Sequence, residues 1–160
     1  MKLGTKGRYA VMAMVDLALH MNSRPKRGPV TLSDIAERQE ISLSYLEQLF
    51  SKLRKAGLVK SVRGPGGGYV LARPATELRV SEIVLAVDEP LRTTRCAPDT
   101  GRGCMSDGSR CVAHDLWEEL GDHIYRFLSG VTLDDVCSRR LGGEHRAVEA
   151  AAPATHEAAQ

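Results

Sequence analysis

Cys96, Cys104, Cys111 and His114 fall within one short stretch in the pattern Cys-x7-Cys-x6-Cys-x2-His. Three thiols and an imidazole are a donor set for a soft or borderline metal centre, either iron in a sulfide cluster or zinc. Cys111 and His114 are three apart at the expected start of a helix, so both could reach one centre. The wide gaps differ from the tight Cys-x2-Cys pairs of structural zinc sites, which favours a cluster while leaving zinc and thiol redox chemistry open. The plainer readings are thiols in a loop, or a disulfide switch with one cysteine left over. His114 alone would read as a solvated side chain near a helix N-terminus, and only Cys111 beside it raises its standing. Cys137, next to Val136, is expected to pack in the interior.

A second group of residues suits a different chemistry. From Ser42 to Lys55 the apolar residues Leu43, Leu46, Leu49, Phe50 and Leu53 gather on one side of a 3.6-residue helix. The opposite side carries Ser44, Gln48, Ser51 and Lys55, flanked by Tyr45, Glu47 and Lys52. Short polar groups near the start and positive charge near the end are what a major-groove helix needs, because its first turns meet base edges and its basic end meets phosphate. An ordinary amphipathic helix with a solvated outer face would share this pattern, so the flanking segments decide. Upstream, Thr31 and Leu32–Arg38 offer a cap and a short apolar stripe, with a break before Ser42 as N-cap. Downstream, Gly57 fits a helix C-terminus, and Leu58–Arg63 and Tyr69–Ala72 pair as strands around Gly64-Pro65-Gly66-Gly67-Gly68. A bare glycine tip at Gly66 and Gly67 beside Arg63 suits a wing against a sugar–phosphate edge, with the guanidinium reaching a minor groove.

These pieces imply a mainly α fold with a small β-hairpin wing, a winged helix-turn-helix followed by a long dimerisation helix. The expected divisions are a DNA-binding domain over 1–87, a ligand loop over 88–111, the long helix and a short C-terminal helix over 112–137, and a disordered tail over 138–160. Residues 5–21 form a first helix whose expected buried side is Val11, Met14, Val15, Ala18 and Leu19. Ser81 is expected to cap a short helix through Val87. In the long helix Leu116, Leu120, Ile124, Phe127 and Leu128 make a stripe, with Trp117 beside it. A symmetric second chain is the natural cover for it.

The net charge of +2 conceals a polarity. Residues 1–73 hold 13 Lys/Arg against 5 Asp/Glu, while residues 74–160 hold 9 against 15. A positive N-terminal half without a charge run implies a polyanion held on a shaped surface. Asp16 interrupts the apolar run that follows Lys2, Lys6 and Arg8, and no stretch reaches the roughly 20 apolar residues that cross a bilayer. The expected location is the cytoplasm, with no membrane partner, where four cysteines favour metal or redox roles over a disulfide framework. No Ser/His/Asp grouping, phosphate-binding P-loop or paired carboxylates point to catalysis, so an enzyme is not expected.

Gly7-Arg8-Tyr9-Ala10-Val11, Ile41–Phe50 and Val62–Tyr69 closely resemble the IscR family of bacterial iron–sulfur cluster regulators. Ala86-Val87-Asp88-Glu89, the Cys/His loop and Leu116-Trp117 continue the resemblance over about residues 1–137. It implies a homodimeric transcription factor that binds double-stranded DNA at a twofold-symmetric operator, carries a [2Fe–2S] cluster and represses cluster-assembly genes. The implied cluster ligands are Cys96, Cys104, Cys111 and His114. The implied DNA contacts are Ser44, Tyr45 and Gln48 in the major groove and Arg63 in the minor groove. The resemblance also implies that Glu47, matching a glutamate of that family, disfavours one class of site until the cluster is present. The family spacing is shorter, Cys-x5-Cys-x5-Cys-x2-His, so this chain has three extra loop residues. Closure entropy grows slowly with length, making their cost a few tenths of a kcal/mol, roughly. A nitric-oxide-sensing sister branch replaces the histidine with an acidic ligand from the first helix. Arg8 stands in that neighbourhood here, and His114 is present, which favours the IscR-like branch. The remaining alternative, a small iron–sulfur electron carrier, would have no use for the wing or the polar face of the recognition helix.

Overall fold

The computed structural model describes residues 4–23, 28–88, 93 and 103–141. Cys96, most of the expected ligand loop and the tail beyond residue 141 lie outside them. The described residues form helices α1 (Thr5–Met21), α2 (Leu32–Gln39), α3 (Leu43–Lys55), α4 (Val80–Ala86), α5 (His114–Gly130) and α6 (Leu133–Cys137), with strands β1 (Val59–Val62) and β2 (Gly68–Leu71) between α3 and α4.

Helix α1 is the post against which the domain is built, touching α2, α3, β2, α4 and α6. Its buried side consists of Gly7, Ala10, Ala13, Met14, Leu17 and Ala18. The expected stripe is therefore rotated: Met14 and Ala18 are inside, Val11 and Val15 are half-buried, and Leu19 is exposed. Small residues line the side on which several elements converge, and they admit close backbone approach where large aliphatic groups would hold neighbours off. Asp16 is also inside, 1% exposed. Its carboxylate accepts from Arg38 Nη2 at 2.6 Å, from Arg38 Nε at 3.0 Å and from Gln39 Nε2 at 2.8 Å, tying α1 to the end of α2. Burial pushes the Asp16 carboxyl up, but the Arg38 and Gln39 hydrogen bonds and the guanidinium charge outweigh it and hold it below its ordinary value.

The helix-turn-helix is built from local signals. Thr31 Oγ1 accepts from Asp34 N at 3.1 Å and starts α2. Glu40, at φ +54, turns the chain out of it, and Ser42 Oγ accepts from Tyr45 N at 3.3 Å to start α3. Helix α3 ends in a Schellman motif, with Leu58 N donating to Leu53 O and Gly57 N to Arg54 O, both at 3.0 Å. Gly57 sits at φ +74, which a side chain would resist. Strands β1 and β2 pair antiparallel from Val59↔Leu71 to Val62↔Gly68. A two-way bridge between Val30 and Tyr69 adds a third, single-residue rung. The interior centres on Phe50, Met14, Leu17, Ile35, Leu46, Leu53, Leu58, Leu78, Ile83 and Leu133, all essentially inaccessible.

Ser81 does not cap α4. It lies buried in the first turn, while Arg79 holds the cap position and its N–H donates to Glu82 Oε2 at 2.9 Å. Val80 N donates to Val131 O at 3.0 Å and Leu133 N to Leu78 O at 2.8 Å, so the starts of α4 and α6 are laced together. Thr132 and Asp135 form a reciprocal capping box on α6. Cys137 on α6 packs half-buried against the main core, and burial raises its thiol above the ordinary value. Helix α5 packs on α4 and buries only His114 and Gly121. Leu116, Trp117, Tyr125 and Phe127 are exposed along it, Leu116 at 63%. Among the described residues no helix is long and apolar enough to cross a membrane.

Candidate nucleic-acid interface and metal centre

The outer face of α3 follows from where its inner face is anchored. Leu46, Leu49, Phe50 and Leu53 are buried, which turns Ser44, Glu47, Gln48, Arg54 and Lys55 out to solvent. Ser51 and Lys52 are half-buried. Tyr45 is also half-buried, with its ring edge-on to Tyr9 at 6.0 Å between centroids, so it braces α3 against α1. Leu43 departs from expectation. It is 41% exposed and belongs to neither core cluster, because the first residue of α3 stands clear of the packing that α1 and α2 supply further along.

The wing tip is a type II turn. Gly67 N donates to Gly64 O at 2.9 Å, Pro65 fills the first central position and Gly66 the second, at φ +71. A Cβ on Gly67 would lie 2.3 Å from Val62 O, so only glycine fits there. Arg63, Gly64, Pro65 and Gly66 are all exposed. The wing thus presents a cation beside bare backbone, on the segment that follows α3 directly.

Between Gly103 and Cys111 the chain folds back on itself. Gly103 N donates to Gly108 O at 2.8 Å, Met105 N to Ser109 O at 3.1 Å, and Asp107 Oδ1 accepts from Ser109 N at 2.9 Å. A Cβ at Gly103 would lie 2.1 Å from Ser109 O, so this closure depends on glycine. It sets Cys104 Sγ 3.1 Å from Nδ1 of His114, the residue that opens α5. His114 is 4% exposed, and Glu118 Oε2 lies 3.7 Å from its other nitrogen. Bonds of about 2.3 Å to sulfur and about 2.0 Å to nitrogen let two ligands of one ion stand up to roughly 4.3 Å apart. The Cys104–His114 separation lies within that reach, while the Glu118 carboxylate stands near the ring's other nitrogen but beyond hydrogen-bond distance.

Cys111 is half-buried and stands three residues ahead of the helix, its carbonyl accepting from His114 N at 3.0 Å. Cys111 and His114 thus stay three apart across the turn that leads into the helix, and Cys104 Sγ also meets the imidazole. Asp115 and Glu118 also place oxygens within 4.8 Å of a His114 nitrogen, but both are exposed, as acidic groups at a helix start commonly are. Two contacts had no sequence signal at all. One is the Asp16–Arg38 anchor, and the other is an ion pair between Lys52 and Asp88, Nζ to Oδ2 2.6 Å.

An amphipathic helix with an exposed polar face, a preceding capped helix and a glycine-tipped hairpin define a winged-helix DNA-binding protein. The sequence matches the Rrf2 family, iron-dependent transcriptional regulators, over residues 3–139, and the chain belongs to that family. It is 54% identical over 140 residues to the HTH-type transcriptional regulator IscR of Photorhabdus laumondii, covering 88% of this chain and 81% of that one. Against the protein of the same name from Escherichia coli O9:H4 the identity is 51% over 140 residues, covering 88% and 82%. Among solved structures, T. potens IscR superposes with a TM-score of 0.68 at 39% identity, covering 90% of this chain and 91% of that one. CymR, the global cysteine regulator of B. subtilis, gives 0.70 at 34% identity over 87% and 98%. The protein is a DNA-binding transcriptional regulator of the IscR kind.

Proposed function

We propose that this regulator holds a [2Fe–2S] cluster through Cys96, Cys104, Cys111 and His114 and that the cluster alters which promoters it binds. The observation that carries this reading is the approach of Cys104 Sγ to His114 Nδ1 at 3.1 Å, on a turn that its own backbone bonds hold closed. When bound, the cluster supplies a redox- and iron-sensitive set of bonds. The protein's part is to fix His114 at the start of α5, with Nδ1 toward Cys104 and Nε2 toward Glu118.

DNA is read by the exposed face of α3. Ser44 and Gln48 face base edges, Glu47 beside them filters sites, and Tyr45 and Lys52 flank the groove. Arg63 reaches a minor groove while Gly66 and Gly67 let the wing backbone close on the duplex. Exposed Leu116, Trp117, Tyr125 and Phe127 on a helix that packs mainly on α4 among the described residues support a homodimer through α5. A twofold dimer places half-sites about 34–36 Å apart on the operator. The regulator works in the cytoplasm on the nucleoid, not as an enzyme, and represses genes for cluster assembly.

Optical and EPR spectra of anaerobically purified protein, with iron, sulfide and zinc quantified, test the cofactor. Sulfide-to-iron charge-transfer bands and equal iron and sulfide bear it out. Zinc without sulfide makes the centre structural and withdraws the switch.

A further inference from the structure

Lys52 stands near the C-terminal end of α3, where a groove-reading helix meets phosphate, yet its ammonium is already engaged. Nζ donates to Asp88 Oδ2 at 2.6 Å, with the side chains 38% and 74% exposed. Asp88 lies just past α4 at φ +57, so a left-handed backbone turn rather than a flexible loop aims its carboxylate back at α3. Lys6 of α1 adds a weaker attraction to the same carboxylate. One exposed anion is therefore held among cations from two other helices, at the edge of the DNA-reading face.

We propose that Lys52 is a DNA-phosphate contact and that Asp88 is its internal stand-in for phosphate, holding the ammonium until a duplex displaces it. This rests on the DNA-binding reading above. A carboxylate and a phosphodiester oxygen accept the same short charge-assisted bond from an ammonium, so the exchange keeps the bond and changes the partner. An exposed ion pair contributes little to the fold and is cheap to open. The competition has a signature in salt dependence. Each phosphate neutralised by a cation releases condensed counter-ions, and a lysine neutralised by Asp88 contributes to this only in part.

Asp88→Asn removes the charge, keeps the shape and tolerates the left-handed backbone. Phosphate contacts carry no sequence information, so a mixed-sequence B-form duplex suffices as the probe. Measured over a salt series, D88N should bind more tightly than wild type, and log K should fall more steeply with log salt, by up to about 0.9. Lys52→Gln should flatten the slope by a comparable amount, and D88N added to K52Q should change nothing further. Wild-type affinity and slope in D88N, an unchanged slope in K52Q, or an undiminished D88N effect in the K52Q background would each overturn the proposal. If wild type showed no salt-dependent binding, the DNA-binding reading would fall with it. Normal wild-type binding with an inert D88N sinks only the role of Asp88.

Discussion

Ser44 and Gln48 lie one turn apart on the exposed side of α3, held there by Leu46, Leu49, Phe50 and Leu53 beneath them. Their chemistry predicts a loss of discrimination rather than a general loss of binding. In Gln48→Ala, the preference for the matched over a singly mismatched duplex should shrink by about 1–3 kcal/mol at one base step, while affinity for unrelated duplexes is kept. A titration of both duplexes at one salt concentration measures it. Asp16 makes a different kind of prediction. Its folded-state pKa is depressed, so its contribution is present above the unfolded value of about 3.9 and is lost as pH falls below it. Asp16→Asn should cost about 2–3 kcal/mol at neutral pH in urea unfolding, and the difference from wild type should narrow as pH falls below about 4. Full stranding of Arg38 is avoided because its side chain is 33% exposed. The sequence showed Asp16 only as an interruption in an apolar run. Its partner is 22 residues away on another helix, and no local spacing could name it.

At the scale of elements, what was legible is what is decided locally. Thr31 and Ser42 as caps, Gly57 as a stop and the glycine tip of the wing are each fixed within a few residues, and each appears where its residue type demands. The start of α4 was misread because Val80 N is satisfied by Val131, about fifty residues on, which frees Ser81 to be buried. The rotated stripe of α1 has the same origin, since convergence of five elements selects small residues over large ones. Two predictions belong here. Gly67→Ala would press a methyl against Val62 O, so the wing should distort and duplex affinity fall with a stability cost of about 1–3 kcal/mol, read by duplex titration and thermal melting. Leu116→Glu on the exposed stripe of α5 should convert a dimer to a monomer in sedimentation at micromolar concentration, with the helical circular dichroism retained. A wild-type monomer would remove the case for a twofold operator.

Across the whole molecule, charge and chemistry are divided between two ends of one chain. The basic half carries the reading helix and the wing, and the acidic half carries the cysteines and α5. The two meet where α4 packs on both α3 and α5, and the proposed coupling between the metal centre and DNA would run through that contact. A ligand shifts such an arrangement only by binding one state better than another. The candidate donor residues stand out by type alone, whereas the approach of Cys104 to His114 was not legible, because it depends on a turn closed by backbone bonds around Gly103. The most direct measurement of the coupling is selection of preferred sites from a randomised duplex pool. It compares anaerobically purified wild type with a Cys104→Ala/Cys111→Ala variant. Two different preferred sequences, with visible absorbance in wild type only, are the predicted result. Identical preferred sequences with identical relative affinities would contradict it.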